Sequence, residues 1–157
     1  MFIWTSSIFA SVGEVSEPFY ELAPSIAELW PYHASLATLG FLLLMWGMIV
    51  ARKKEAGWLK RHRILGISGA VFAIAGAIAA AYMVSLASED HFNVPHAYLG
   101  SLVIVLLLFT PALGLLQLKV AINVRRKIRR FHLLFGRAAL LLMALNMLLG
   151  MLMVGPA

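Results

Sequence analysis

The chain contains no cysteine. That excludes thiolate metal sites, iron–sulfur clusters held by protein thiolates, and disulfides, and it leaves cysteine usage silent about redox compartment. Charge is scarce as well. Asp, Glu, Lys and Arg make up 13% of the 157 residues, against about 25% in an ordinary soluble domain. Acids are the scarcest, seven against thirteen basic residues, for a net charge of +6. A basic balance of this size would suit a nucleic-acid partner if the cations covered a soluble surface, but they do not. Arg52, Lys53, Lys54, Lys60, Arg61 and Arg63 fall between the first and second apolar stretches. The other seven fall between Lys119 and Arg137, between or beside the third and fourth. No nucleic-acid partner is expected.

What the chain has in excess is apolar length. Hydrophobic residues are 62% of it, and charge-free runs cover 34–51, 64–88, 97–118 and 138–157. Each run is 18 residues or longer, enough for a helix to cross a hydrocarbon layer roughly 30 Å thick. Four such runs could not all be buried by so little remaining polar chain. The expected fold is all-α: an integral membrane four-helix up-down bundle with helices at about 31–51, 58–86, 95–119 and 127–154. Short connections make sequential helices antiparallel neighbours. Pro31 and Pro95 sit where the first turn of a helix tolerates proline.

All thirteen basic residues lie on one side of this bundle, and six of the seven acids, all but Glu55, lie on the other. The positive-inside rule then places both termini and the Glu89–Asp90 loop outside the cytoplasm, in a cell (inner or plasma) membrane. Residues 1–30 read as an extracytoplasmic lead-in or an interfacial segment, and residues 31–154 as the membrane domain. The apolar start, Met1 to Gly13, lacks the basic residues and cleavage site of a signal peptide.

Of five histidines, four fall one per helix: His33, His62, His96 and His132. Each is near the N-terminal end of its helix, and the helices alternate in direction. His33 and His96 therefore share the outer level, and His62 and His132 the cytoplasmic one. Helices one and three are diagonal in such a bundle, as are two and four, so each pair faces itself across the interior. That supplies two axial ligands at each of two levels, as a haem iron requires. One turn after each histidine, on the same face, stand Ala37, Gly66, Gly100 and Gly136, small residues that would let a porphyrin lie against the helix. Zinc fits less well, because two histidines per level leave its coordination shell incomplete. A lone histidine at a helix end is most often an interfacial polar residue, and His91, in the outer loop, is read that way. A short internal repeat, His33-Ala34-Ser35-Leu36 beside His96-Ala97-Tyr98-Leu99, points to a duplicated two-helix unit.

The same residues resemble the cytochrome b561 family, with its DOMON-linked and ferric-reductase-like branches, in a minimal prokaryotic-like form. The likeness rests on His33, Trp46-Gly47, Trp58 with Lys60-Arg61-His62 and Gly66, and His96 with Gly100. It continues through Leu116-Gln117, Arg129, His132, Gly136-Arg137, Asn146 and Gly150. It covers about residues 31–154 and implies two haem b groups held by His33 with His96 and by His62 with His132, carrying electrons between the membrane faces. Family members commonly have one or two further helices, and the ascorbate-binding motifs of eukaryotic members are not recognisable here.

A rise of about 1.5 Å per residue puts the two levels on the order of 20–25 Å apart. The cations near the inner level serve topology and lipid headgroups, with Arg63 and Arg137 the better candidates for the cofactor side. The methionines, Met143 and Met147 among them, read as packing, and Asn146 and Gln117 as interhelical polar groups. Three functions compete. The chain is a transmembrane electron conduit, an oxidoreductase with a quinol, ferric or small reductant partner. Or it is a haem-bearing membrane anchor that exchanges electrons between quinone and a partner redox subunit, as one chain or a homodimer. Or it is a haem-free structural or transport protein.

Overall fold

The computed structural model describes residues 24–87, 91, 92 and 94–154. Residues 1–23 of the expected lead-in and the Glu89–Asp90 loop lie outside the described residues. Four helices make up the rest: α1 Pro24–Lys53, α2 Trp58–Ala87, α3 Pro95–Leu116 and α4 Ile122–Val154. No strand occurs among the described residues. The sequences are rich in Leu, Ala and Met, strong helix formers, and they are apolar all round rather than along one stripe, as lipid-facing helices are. All four are long and apolar enough to span a membrane. Leu141 is 70% exposed and Ile78 65%, a cost in water but not in lipid. The protein is a multi-pass membrane protein with an all-helical four-helix bundle.

Two helices begin earlier than the sequence suggests. α1 starts at Pro24, so Pro31 lies inside it rather than opening it, and residues 24–30 belong to the helix instead of the lead-in. α4 starts at Ile122, five residues before the expected 127. The reason lies in its basic segment. Arg and Lys are good helix formers, Arg125 Nη2 donates to the Val120 carbonyl at 3.1 Å, and the Ala121 carbonyl takes the Arg125 N–H at 2.9 Å. The charged first turns thus carry the helix past the apolar span. Between α1 and α2, Lys54 and Gly57 take positive φ, 53° and 71°, and the tight turn that results makes the two helices antiparallel.

The bundle is built as two hairpins. α1 packs closely along α2, and α3 along α4, while contact between the hairpins is much sparser. The first hairpin closes on glycine. A Cβ at Gly40 would stand 2.7 Å from Ala73 N and 2.8 Å from the Gly69 carbonyl, and one at Gly69 would meet Leu44 at 2.8 Å. Only glycine lets the two backbones cross there, the small-residue packing that lipid-embedded helices favour. A buried cluster of Ala73, Val103, Leu107, Ala139 and Met143 joins the hairpins at mid-height. Met143 is therefore packing, as expected.

Gly40→Leu should destabilise the bundle by about 3 kcal/mol, the upper end for over-packing, because backbone rather than a flexible side chain stands in the way. Unfolding by denaturing detergent measures it. Leu42→Val, on the lipid side, should change stability by less than about 0.5 kcal/mol.

Candidate functional site

Four half-buried histidines form two levels. The rings of His33 and His96 stand 6.0 Å apart, centroid to centroid, with an interplanar angle of 89°. Those of His62 and His132 also stand 6.0 Å apart, at 83°. The levels lie at opposite ends of the bundle, the second at the end that carries the basic residues. Each histidine is within the first turns of its helix, except that α1 and α4 reach further back, by nine and ten residues.

The second nitrogen of every ring is already used. His33 Nδ1 bonds the Gly76 carbonyl at 2.8 Å and His62 Nδ1 the Gly47 carbonyl at 2.9 Å. His96 Nδ1 bonds the Asn146 carbonyl and His132 Nδ1 the Thr110 carbonyl, each at 2.9 Å. A carbonyl can only accept, so Nδ1 carries the proton in all four rings. Nε2 is left with its lone pair, the tautomer a metal ligand needs, held by the kind of outer bond that orients ligating histidines.

The acceptors follow a rule. Residues 33 and 47, 62 and 76, 96 and 110, 132 and 146 are each fourteen apart. Every helix thus carries one histidine and, fourteen residues later, the carbonyl that receives the histidine of its hairpin partner. Fourteen residues amount to four turns with a small angular offset, about 21 Å along the axis. That is the separation of the two levels, and the buried cluster lies between them.

Two imidazoles bound to one metal ion from opposite sides, with metal–nitrogen bonds of about 2 Å, stand about 6 Å apart by their centroids. Both ring pairs have that spacing. A bare ion would need further protein ligands, and among the described residues no cluster of three or more His, Asp or Glu could hold one. An iron that arrives with four nitrogens of its own macrocycle needs only the two imidazoles. Space beside the rings also suits such a group. The hairpins meet loosely, and a Cβ at Gly66 would meet nothing within 4 Å. At Gly100 a Cβ would meet only Asn146 Nδ2 at 3.2 Å, and at Gly136 only Thr110 Cγ2 at 3.4 Å. Among the described residues, two buried side-chain polar atoms, Asn146 Oδ1 and Thr110 Oγ1, have no hydrogen-bond partner. Both lie on the residues whose carbonyls hold the α3 and α4 histidines, and buried atoms of this kind ordinarily have a partner.

The other sequence candidates fall around this core. Ala37 lies against α2, its N–H 3.0 Å from where a Cβ on Gly76 would be. Arg63 and Arg137 are exposed at the basic end, outside the ring pairs. Gln117 Nε2 donates to the Gly114 carbonyl at 3.2 Å, so it caps its own helix rather than bridging two. Ser85 Oγ donates to the Ala81 carbonyl at 2.9 Å and receives His91 Nε2–H at 3.0 Å, which ties the loop histidine to the end of α2. Trp58 adds a ring 6.4 Å from His62. Sequence reasoning missed the four acceptor carbonyls and Gly114. The fourteen-residue interval was the available signal.

Among known families, the one described as eukaryotic cytochrome b561 matches residues 32–155. No curated protein and no solved structure matches the chain. The match spans both histidine levels and all of the bundle except the first eight residues of α1, and the family's work is transmembrane electron transfer by b-type haem. This chain belongs to the cytochrome b561 family.

Proposed function

We propose that the protein carries two b haems, one between His33 and His96 and one between His62 and His132, and that it passes electrons between the faces of a cell (inner or plasma) membrane. In this reading both termini lie outside the cytoplasm and the basic end faces it, by the positive-inside rule. The observation that carries the proposal is the pair of near-perpendicular imidazoles at each level, 6.0 Å apart, with no Nε2 hydrogen-bonded among the described residues. The haem supplies one-electron chemistry between ferrous and ferric iron. The chain's own part is to hold the ligand rings in one tautomer, to keep the levels about 21 Å apart, and to exclude water with the apolar layer between them. At the basic end Arg63 and Arg137 are the cations we assign to the cofactor side, where they would pair with anionic groups.

A second reading concerns the donor. Phe92, Pro95, Tyr98, Leu102 and Leu149 line an apolar groove of about 730 Å³ beside the His96 turn. In this reading the chain is a haem-bearing membrane anchor between quinone and a partner redox subunit, and a lipid-soluble quinol rather than a small polar reductant would take this apolar lining.

Three results are expected. His33→Ala should remove one haem and leave the other spectrum intact, and His132→Ala should remove the other; pyridine haemochrome assay and low-temperature spectra of each variant check this. Gly66→Leu fills space that the chain itself leaves free. It should leave the haem-free bundle unchanged or more stable by up to about 1 kcal/mol, since leucine is the better helix former, while haem at the His62 level falls to less than half. In vesicles with a membrane-impermeant reductant outside and ferricyanide inside, the wild-type protein should reduce the trapped acceptor, and His96→Ala should do so at under a tenth of that rate.

A further inference from the structure

In a helix the carbonyl of residue i already holds the N–H of residue i+4. An imidazole that shares this carbonyl must pass over residue i+4, and a side chain there is in its path. The residues four after the acceptors are Ala51, Ala80, Gly114 and Gly150, all small. The two glycines are the tight cases. A Cβ on Gly150 would stand 2.9 Å from His96 Cε1 and 3.3 Å from Nδ1. One on Gly114 would stand 3.1 Å from His132 Cε1 and 3.3 Å from Nδ1. In the first hairpin the corresponding positions are alanines, Ala51 and Ala80, and a Cβ on Gly47 would be 3.7 Å from His62 Nδ1. There the glycine is the acceptor residue itself.

We propose that Gly150 and Gly114 are positioning residues, each fixing the rotation of one ligand imidazole, His96 and His132 respectively, and through it the near-perpendicular ring pair of one level. The proposal rests on the reading of these rings as haem ligands. The ring is pinned on one edge by its Nδ1–H bond and flanked by the glycine Cα. A methyl group in that place turns the ring away and breaks or lengthens the bond to Asn146 or Thr110. Ligand orientation and the outer hydrogen bond both tune a haem, so the effect falls on one level alone.

Gly150→Ala and Gly114→Ala test this, with each haem assigned beforehand from His33→Ala and His62→Ala. The readouts are the electron paramagnetic resonance of the ferric protein, whose anisotropy grows with the angle between the two ligand planes, and the midpoint potential of each haem. Gly150→Ala should shift or abolish the signal and shift the potential of the haem at the His33–His96 level only, and Gly114→Ala those of the other only. Wild-type values for both haems in either variant, or equal shifts in both, overturn the proposal. If a variant fails to accumulate, removing the ring decides the matter. Gly150→Ala in a His96→Ala background should accumulate as well as His96→Ala alone, because the contact is gone. Failure there assigns Gly150 to general packing and overturns the proposal. A wild-type protein without haem would refute the haem reading instead, and the rescue comparison would still test the ring contact.

Discussion

The hydrogen bond from a histidine Nδ1–H to a main-chain carbonyl of the neighbouring helix is the constraint on which the rest of this protein depends. It occurs four times, at 2.8 to 2.9 Å. In lipid no water competes for the polar atoms, and an unbonded imidazole N–H there would cost free energy outright. The bond therefore does three things at once. It satisfies the ring, it fixes the tautomer, and it sets the register of each hairpin, since the histidine of one helix must lie level with the carbonyl fourteen residues past the histidine of the other. Because both members of a hairpin obey the same interval, two levels appear at a separation the helix rise dictates.

Packing serves this register. The first hairpin is drawn together at Gly40 and Gly69, seven residues past His33 and His62, and the second is filled at the corresponding positions by Val103 and Ala139. The hairpins themselves meet mainly through the mid-height cluster, which leaves room on either side of it at the two levels. Tight pairing within hairpins and loose pairing between them is the arrangement that a flat group wedged between diagonal helices requires.

Much of this was legible in the sequence. Charge-free runs gave the number of spans, the one-sided cations gave their alternation, and one histidine per helix near each N-terminal end gave the two levels and their diagonal pairing. Helix ends were less legible. The first turns of α4 are charged, so hydropathy excludes them although their helix propensity is high, and Pro31 resembles a helix start when Pro24 opens the helix instead. The acceptors could not be read from residue type at all, because every residue carries a carbonyl. Gly47, Gly76, Thr110 and Asn146 share no side-chain chemistry and are united only by spacing. Gly114 was hidden for a related reason, and Gly150 was legible only as part of the family likeness: glycine is common in membrane helices, and what distinguishes these two is the ring they touch.

The most direct test of the central claim, that each facing pair of histidines holds one haem, is the haem content of the purified protein together with its oxidised and dithionite-reduced spectra. The account predicts two b haems per chain and the sharp reduced alpha band of bis-histidine ligation. A protein that stays colourless after expression with ample haem would contradict it, and one haem per chain would contradict the assignment of one of the two levels.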